Sequence, residues 1–110
     1  MRIKPVPQFL KELQKIKDID AKRNIHLKLK AIENTGIYQM MATQDAKCIS
    51  QHDLYEIRIR CKSINYRLLC TIIDNTCWIL HLIVKKTQKL ELHDINTASS
   101  RKSNLKSYIN

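Results

Sequence analysis

The chain has 110 residues and a mass of 13.0 kDa, enough for one hydrophobic core, so it reads as a single domain spanning residues 1–110. Lysine and arginine number 20 against 10 for aspartate and glutamate, and the resulting +10 and pI near 9.7 favour a polyanionic partner: nucleic acid, an acidic protein or an anionic surface. Gly36 is the only glycine, which excludes the P-loop, the dinucleotide-binding turn and the kinase glycine loop, each needing several glycines for close backbone approach to phosphate.

Pro5 and Pro7 stand just ahead of a pattern in which Val6, Phe9, Leu10, Leu13 and Ile16 recur at helical steps. The spacing predicts an amphipathic helix with Lys11, Glu12, Lys15 and Lys17 on its wet side. After a break at Asp18 to Asp20, a second helix is predicted through Ala21, Ile25, Leu29 and Ile32, with Asp20 as its N-cap and Gly36 as its stop. The two make a helical hairpin whose apolar stripes need a partner surface. Residues 37–53 show neither period and read as a connecting segment with room for one short strand.

From Leu54 the period becomes two, with Tyr55, Ile57, Ile59 and Cys61 alternating with Glu56, Arg58 and Arg60. A turn over Lys62 to Asn65 leads to a second strand, Tyr66 to Ile73, and Asp74-Asn75-Thr76 is turn chemistry. Cys77 to Val84 is nearly all apolar and β-branched, as a strand covered on both faces should be. Beyond Lys89, the weak spacing of Leu92, Ile95, Ala98 and Leu105 predicts a short C-terminal helix. The fold class is therefore α+β, with an N-terminal helical hairpin packed on a small antiparallel meander.

The charge is spread along the chain: residues 1–50 and 51–110 each hold ten basic and five acidic side chains. Within the second half, Arg58, Arg60, Lys62, Arg67, Lys85, Lys86 and Lys89 face only Glu56 and Asp74 in the segment from Leu54 to Lys89. Cys48, Cys61, Cys70 and Cys77 form no CxxC spacing, so no zinc site is expected, and three of them sit in apolar runs where a thiol acts as a small hydrophobe. With no leader pattern at Met1 and no apolar run long enough for a membrane span, a reduced cytoplasmic protein is expected.

Adjacent antiparallel strands bring side chains of one face within about 5 Å. Arg58 and Arg60 can therefore share a surface with Arg67, with Lys85 and Lys86 leaving the third strand beside them. So many cations repel one another unless an anion lies among them, and an RNA phosphodiester is the anion that fits. The plainer alternative is the wet side of a half-exposed sheet, but such a face normally mixes signs. His81 reads as a hydrogen-bonded histidine at the core edge. His93 lies just past the basic segment within reach of the same face or of solvent. Tyr66 is either core or, if exposed, a stacking platform for a base.

The blocks Leu54-Tyr55-Glu56-Ile57-Arg58, Asn65-Tyr66-Arg67-Leu68-Leu69, Leu80-His81 and Val84-Lys85-Lys86-Thr87-Gln88-Lys89, at these distances, resemble the HigB branch of the RelE/ParE toxin superfamily. That resemblance implies the toxin of a type II toxin–antitoxin system: a metal-independent, cofactor-free endoribonuclease that cuts mRNA in the ribosomal A site by attack of the ribose 2′-hydroxyl on the adjacent phosphate. It implies catalytic roles for Arg58, Arg60, Arg67, Lys85 and Lys86, and RNA contacts from Lys62, Lys89, His93 and Tyr66. It also implies an antitoxin partner, acidic or helix-turn-helix and HigA-like, through which alone the protein would meet operator DNA. The tyrosine some members place about six residues past the last basic position is absent, Leu92 and His93 standing there. A ParE-like inhibitor of DNA gyrase and a non-catalytic RNA-binding module are the alternatives.

Overall fold

The computed structural model describes residues 1–85 and 89–109. Strand β1 (Arg2–Pro5) leads into helix α1 (Pro7–Gln14), with Pro7 in its first turn, where a missing N–H costs nothing. Helix α2 (Ile19–Thr35) is capped by Asp18, whose Oδ1 accepts the N–H groups of Asp20 and Ala21 at 2.9 and 3.2 Å. The cap thus falls two residues before the expected Asp20, because Asp18 has the extended backbone a cap needs and Asp20 already lies in the first turn. Gly36 ends the helix as expected, its N–H reaching the Ile32 carbonyl at 2.7 Å.

The segment read as a connection is more structured than its composition suggests. It holds helix α3 (Tyr38–Ala42), strand β2 (Ala46–Ile49) and a 3₁₀ turn at Ser50–His52. Strands β3 (Leu54–Cys61), β4 (Ile64–Ile73) and β5 (Thr76–Lys85) form the predicted meander. Asp74 and Asn75 both take positive φ, as a two-residue hairpin turn requires, and Lys62 does so in the other hairpin. Helix α4 (Leu92–Ser103) and the short α5 (Lys106–Ile109) complete the chain.

The meander sits inside a wider, five-stranded sheet of order β1-β5-β4-β3-β2, in which β1 pairs parallel to β5 and every other pair is antiparallel. Register assigns the faces. Ile59, Tyr66 and Leu82 point towards α1 and α2, whereas Arg67, Leu69 and His81 point the other way, where Asp94 of α4 bonds His81. Phe9, Ile25, Ile32, Ile57, Leu68 and Ile79 are wholly buried in the core. Cys61, Cys70 and Cys77 are buried and unbridged, and Cys48 is exposed. Among the described residues, no helix is long and apolar enough to cross a membrane.

Candidate functional site

The short turn between β3 and β4 makes Cys61 and Ile64 the last opposed pair. From there the ladder alternates, so that Arg58 and Arg67, directly opposite each other, form a non-hydrogen-bonded pair, the kind whose Cα atoms lie only about 4.5 Å apart. The Arg58 N–H accordingly points away from β4 and donates to the Asp45 carbonyl at 2.8 Å. Two guanidinium groups are thus pressed together on one face.

Glu56, on the same face of β3, relieves the repulsion. Its Oε1 accepts from Arg58 Nε at 2.7 Å and its Oε2 from Arg67 Nη1 at 3.2 Å. The carboxylate is 2% exposed and Arg67 4%, whereas 45% of the Arg58 side chain stays in solvent. One arginine is therefore built into the protein while the other keeps free donors. Together with Gln44, Asp45, Arg60 and Asn65, and with Ile59 and Tyr66 as walls, they line a cavity of about 180 Å³. A planar, permanently charged fork offers paired donors to a tetrahedral oxyanion, so the cavity suits a phosphate.

Residues 9–103 match the family described as phage-derived protein Gp49-like. The chain belongs to that family. Its fold is that of the E. coli toxin RelE: a double-arginine mutant of RelE in the free state superposes with a TM-score of 0.64 at 18% identity, over 92% of this chain and 95% of that one. Family and fold together bear out the likeness to RelE-type toxins read from the sequence. No curated protein matches the sequence.

In this Gp49-like chain, Arg58, Arg60 and Arg67 meet in one cavity. Lys85 lies opposite Asn65 on the same face, but its amine is held by Glu91 at 2.8 Å and Asp94 at 3.6 Å. The bond to Glu91 is the main reason its pKa rises. Lys86 falls outside the described residues. Lys89 and His93 are exposed, the His93 ring 3.9 Å from Asp94. Lys62 does not line the cavity; it leans from its hairpin turn to Asp18 at 3.0 Å and Asp20 at 3.9 Å. Tyr66 is 3% exposed, so it presents a wall and no open ring face.

Gln44 and Asp45 were not singled out by the sequence, since only the fold brings the stretch before β2 against the arginines; Asn65, which opens the Asn65-Tyr66-Arg67 block, lines the cavity from its place opposite Arg60. A second cluster was equally hidden. In its charged form the His81 ring donates from Nδ1 to Glu12 at 2.9 Å and from Nε2 to Asp94 at 3.0 Å, with Arg101 Nη1 3.2 Å from Nδ1, tying α1, β5 and α4 together. Burial works against a charged ring there, but the bonds to Glu12 and Asp94 outweigh it and raise the His81 pKa. Burial also works against the Glu12 carboxylate, and its bonds to His81, Arg101 and the Leu82 N–H outweigh it and lower its pKa. Among the described residues, no three His, Cys, Asp or Glu side chains converge as a metal site would need.

Proposed function

We propose that the chain is the toxin of a toxin–antitoxin pair and acts as an endoribonuclease on mRNA held in the ribosome. The observation that carries this reading is the pair of arginines bridged by buried Glu56 at the mouth of a phosphate-sized cavity. In the reaction the ribose 2′-oxygen attacks the adjacent phosphorus and the bond to the 5′-oxygen breaks, leaving a 2′,3′-cyclic phosphate and a 5′-hydroxyl. The 2′-proton leaves with a general base, and the departing oxygen takes one up.

Negative charge grows on the non-bridging oxygens as the phosphorus becomes five-coordinate, and Arg58 and Arg60, which line the cavity, would donate to it. Arg67 holds Glu56, which in turn fixes Arg58. Lys85, at the end of β5 on the face of Arg67, would supply further positive potential together with Lys86, the next residue in the sequence, and Lys89, His93 and Lys62 would steer the strand. No metal or cofactor takes part in this reading. A helix-turn-helix, HigA-like antitoxin would cover the basic face, and operator DNA would be met only through that complex, in the cytoplasm.

Primer extension on mRNA bound to programmed ribosomes tests it. Wild-type protein gives new 5′ ends within the A-site codon. Arg58→Ala removes them, and the exposure of that side chain and the remaining Glu56–Arg67 bond keep the fold intact. Absence of cuts with wild-type protein, together with blocked supercoiling by DNA gyrase, would replace this reading with gyrase inhibition.

A further inference from the structure

Strand β2 begins at Ala46, opposite Ile57, so the last residues of β3 have no outer neighbour. Arg58 still gives its N–H to the Asp45 carbonyl. By ladder alternation, Arg60 turns its own N–H and C=O the same way, into an opening where no strand follows. That opening is a second cavity, about 440 Å³, between β3, α2 and the stretch before β2.

Its lining has two kinds of surface. Leu27, Ala31, Met40 and Ile59 make an apolar floor, and Leu27 is 60% exposed despite its size. Asn24, Lys28, Asp45 and Arg60 form the polar part. Thr43 at 3.1 Å and Lys28 at 3.8 Å both approach Asp45 Oδ2, which leaves Oδ1 without a partner among the described residues. The cavity shares Asp45, Ile59 and Arg60 with the arginine cavity, so the two adjoin at this margin of β3.

An apolar floor with a few edge-directed polar groups accepts a flat ring by its face and reads it by its rim. The cationic Lys28 and Arg60 beside it favour a unit carried on a phosphate backbone. We propose that this cavity seats the nucleobase next to the phosphate held by Arg58, and that Asp45 sets base preference. A lone carboxylate oxygen only accepts; the one ring donor uracil offers, N3–H, lies between two carbonyl oxygens that repel a carboxylate, so bases with an exocyclic amino group are favoured over uracil. This inference rests on the arginine cavity being an RNA phosphate site.

The test uses fluorescein-labelled 2′-O-methyl RNA trimers, which cannot be cut, differing only in one of the two bases that flank the first of their two phosphates. Anisotropy with wild-type protein should show adenine or cytosine bound at least fivefold more tightly than uracil at one of the two positions. Asp45→Asn should reduce the preference below twofold, Asn24→Ala should diminish it, and Arg58→Ala should weaken all trimers alike. A preference that is absent in wild-type protein, or unchanged in Asp45→Asn, overturns the base cavity while the phosphate site stands. Binding insensitive to Arg58→Ala overturns the phosphate site and this inference with it. If Leu27→Glu abolishes antitoxin binding and leaves trimer binding unchanged, the cavity is a protein-docking surface and the proposal fails.

Discussion

Replacing Glu56 with glutamine keeps the shape of the side chain and deletes the charge that separates two arginines. Glu56 is 2% exposed and Arg67 4%, at 3.2 Å, so the pair is buried on both sides. Removing one partner of a buried pair typically costs about 3–5 kcal/mol, because the other is left as an uncompensated charge. Glutamine still accepts one hydrogen bond, which puts the expected loss near the lower end, about 3 kcal/mol, or a fall in melting temperature of about 12 °C for a domain of this size. Trp78, the sole tryptophan and 7% exposed, reports unfolding in urea, where the midpoint should drop with an unchanged slope. Inorganic phosphate should restore the variant more than it stabilises the wild type, since arginines no longer neutralised by Glu56 attract an anion into the adjoining cavity more strongly. Adding Arg67→Met should recover much of the stability. A loss below about 1 kcal/mol, or a double variant no better than the single one, would show that Glu56 does not hold the arginines together.

The histidine cluster makes stability depend on pH in both directions. Below the ordinary histidine value of 6.5, the raised pKa of His81 contributes in full, and that contribution is lost as pH rises through the raised value. Above the ordinary 4.5, the lowered pKa of Glu12 contributes in full, and is lost as pH falls through the lowered value. With Asp94, Lys85 and Arg101 around the ring, the melting temperature should peak between those two ordinary values, and His81→Gln should flatten the alkaline side of the peak. At Gly36, φ +82° and ψ 169° lie in a region populated essentially by glycine, and a Cβ there would meet nothing within 4 Å. Gly36→Ala should therefore cost about 1–3 kcal/mol through backbone strain alone, measurable by urea denaturation; a neutral result would show that the helix end adjusts freely.

The meander was legible because period-two alternation in β3 and a long apolar run in β5 leave no helical alternative. Strand β1 was not, since Arg2–Pro5 is too short to show a period and Pro5 and Pro7 announce the helix behind it. Strand β2 was anticipated only as a short strand somewhere in the connection, and α3 was missed, because five residues of YQMMA carry no cap and no stripe. At the site, alternation alone put Arg58, Arg60 and Arg67 on one face. It could not say that Arg67 would be buried and Arg58 open, which depends on Glu56 lying beneath both. Asp45 and the Glu12–His81–Arg101 contacts join residues far apart in the chain, and pairings of that kind leave no trace in local spacing.

The outer margin of β5 has one further consequence. Parallel pairing with β1 ends at Ile79, whose carbonyl takes the Val6 N–H at 3.0 Å, and the most apolar strand of the protein continues without a neighbour. Side chains stand in for the missing strand: Glu12 accepts the Leu82 N–H at 3.0 Å, and Arg101 donates to the Leu80 carbonyl at 2.9 Å. A bare margin of this composition would invite a second molecule to add its own strand and seed aggregates. Occupied at Leu80 and Leu82 by charged groups from α1 and α4, this margin presents a broken ladder, a poorer template for a second strand than the bare edge would be.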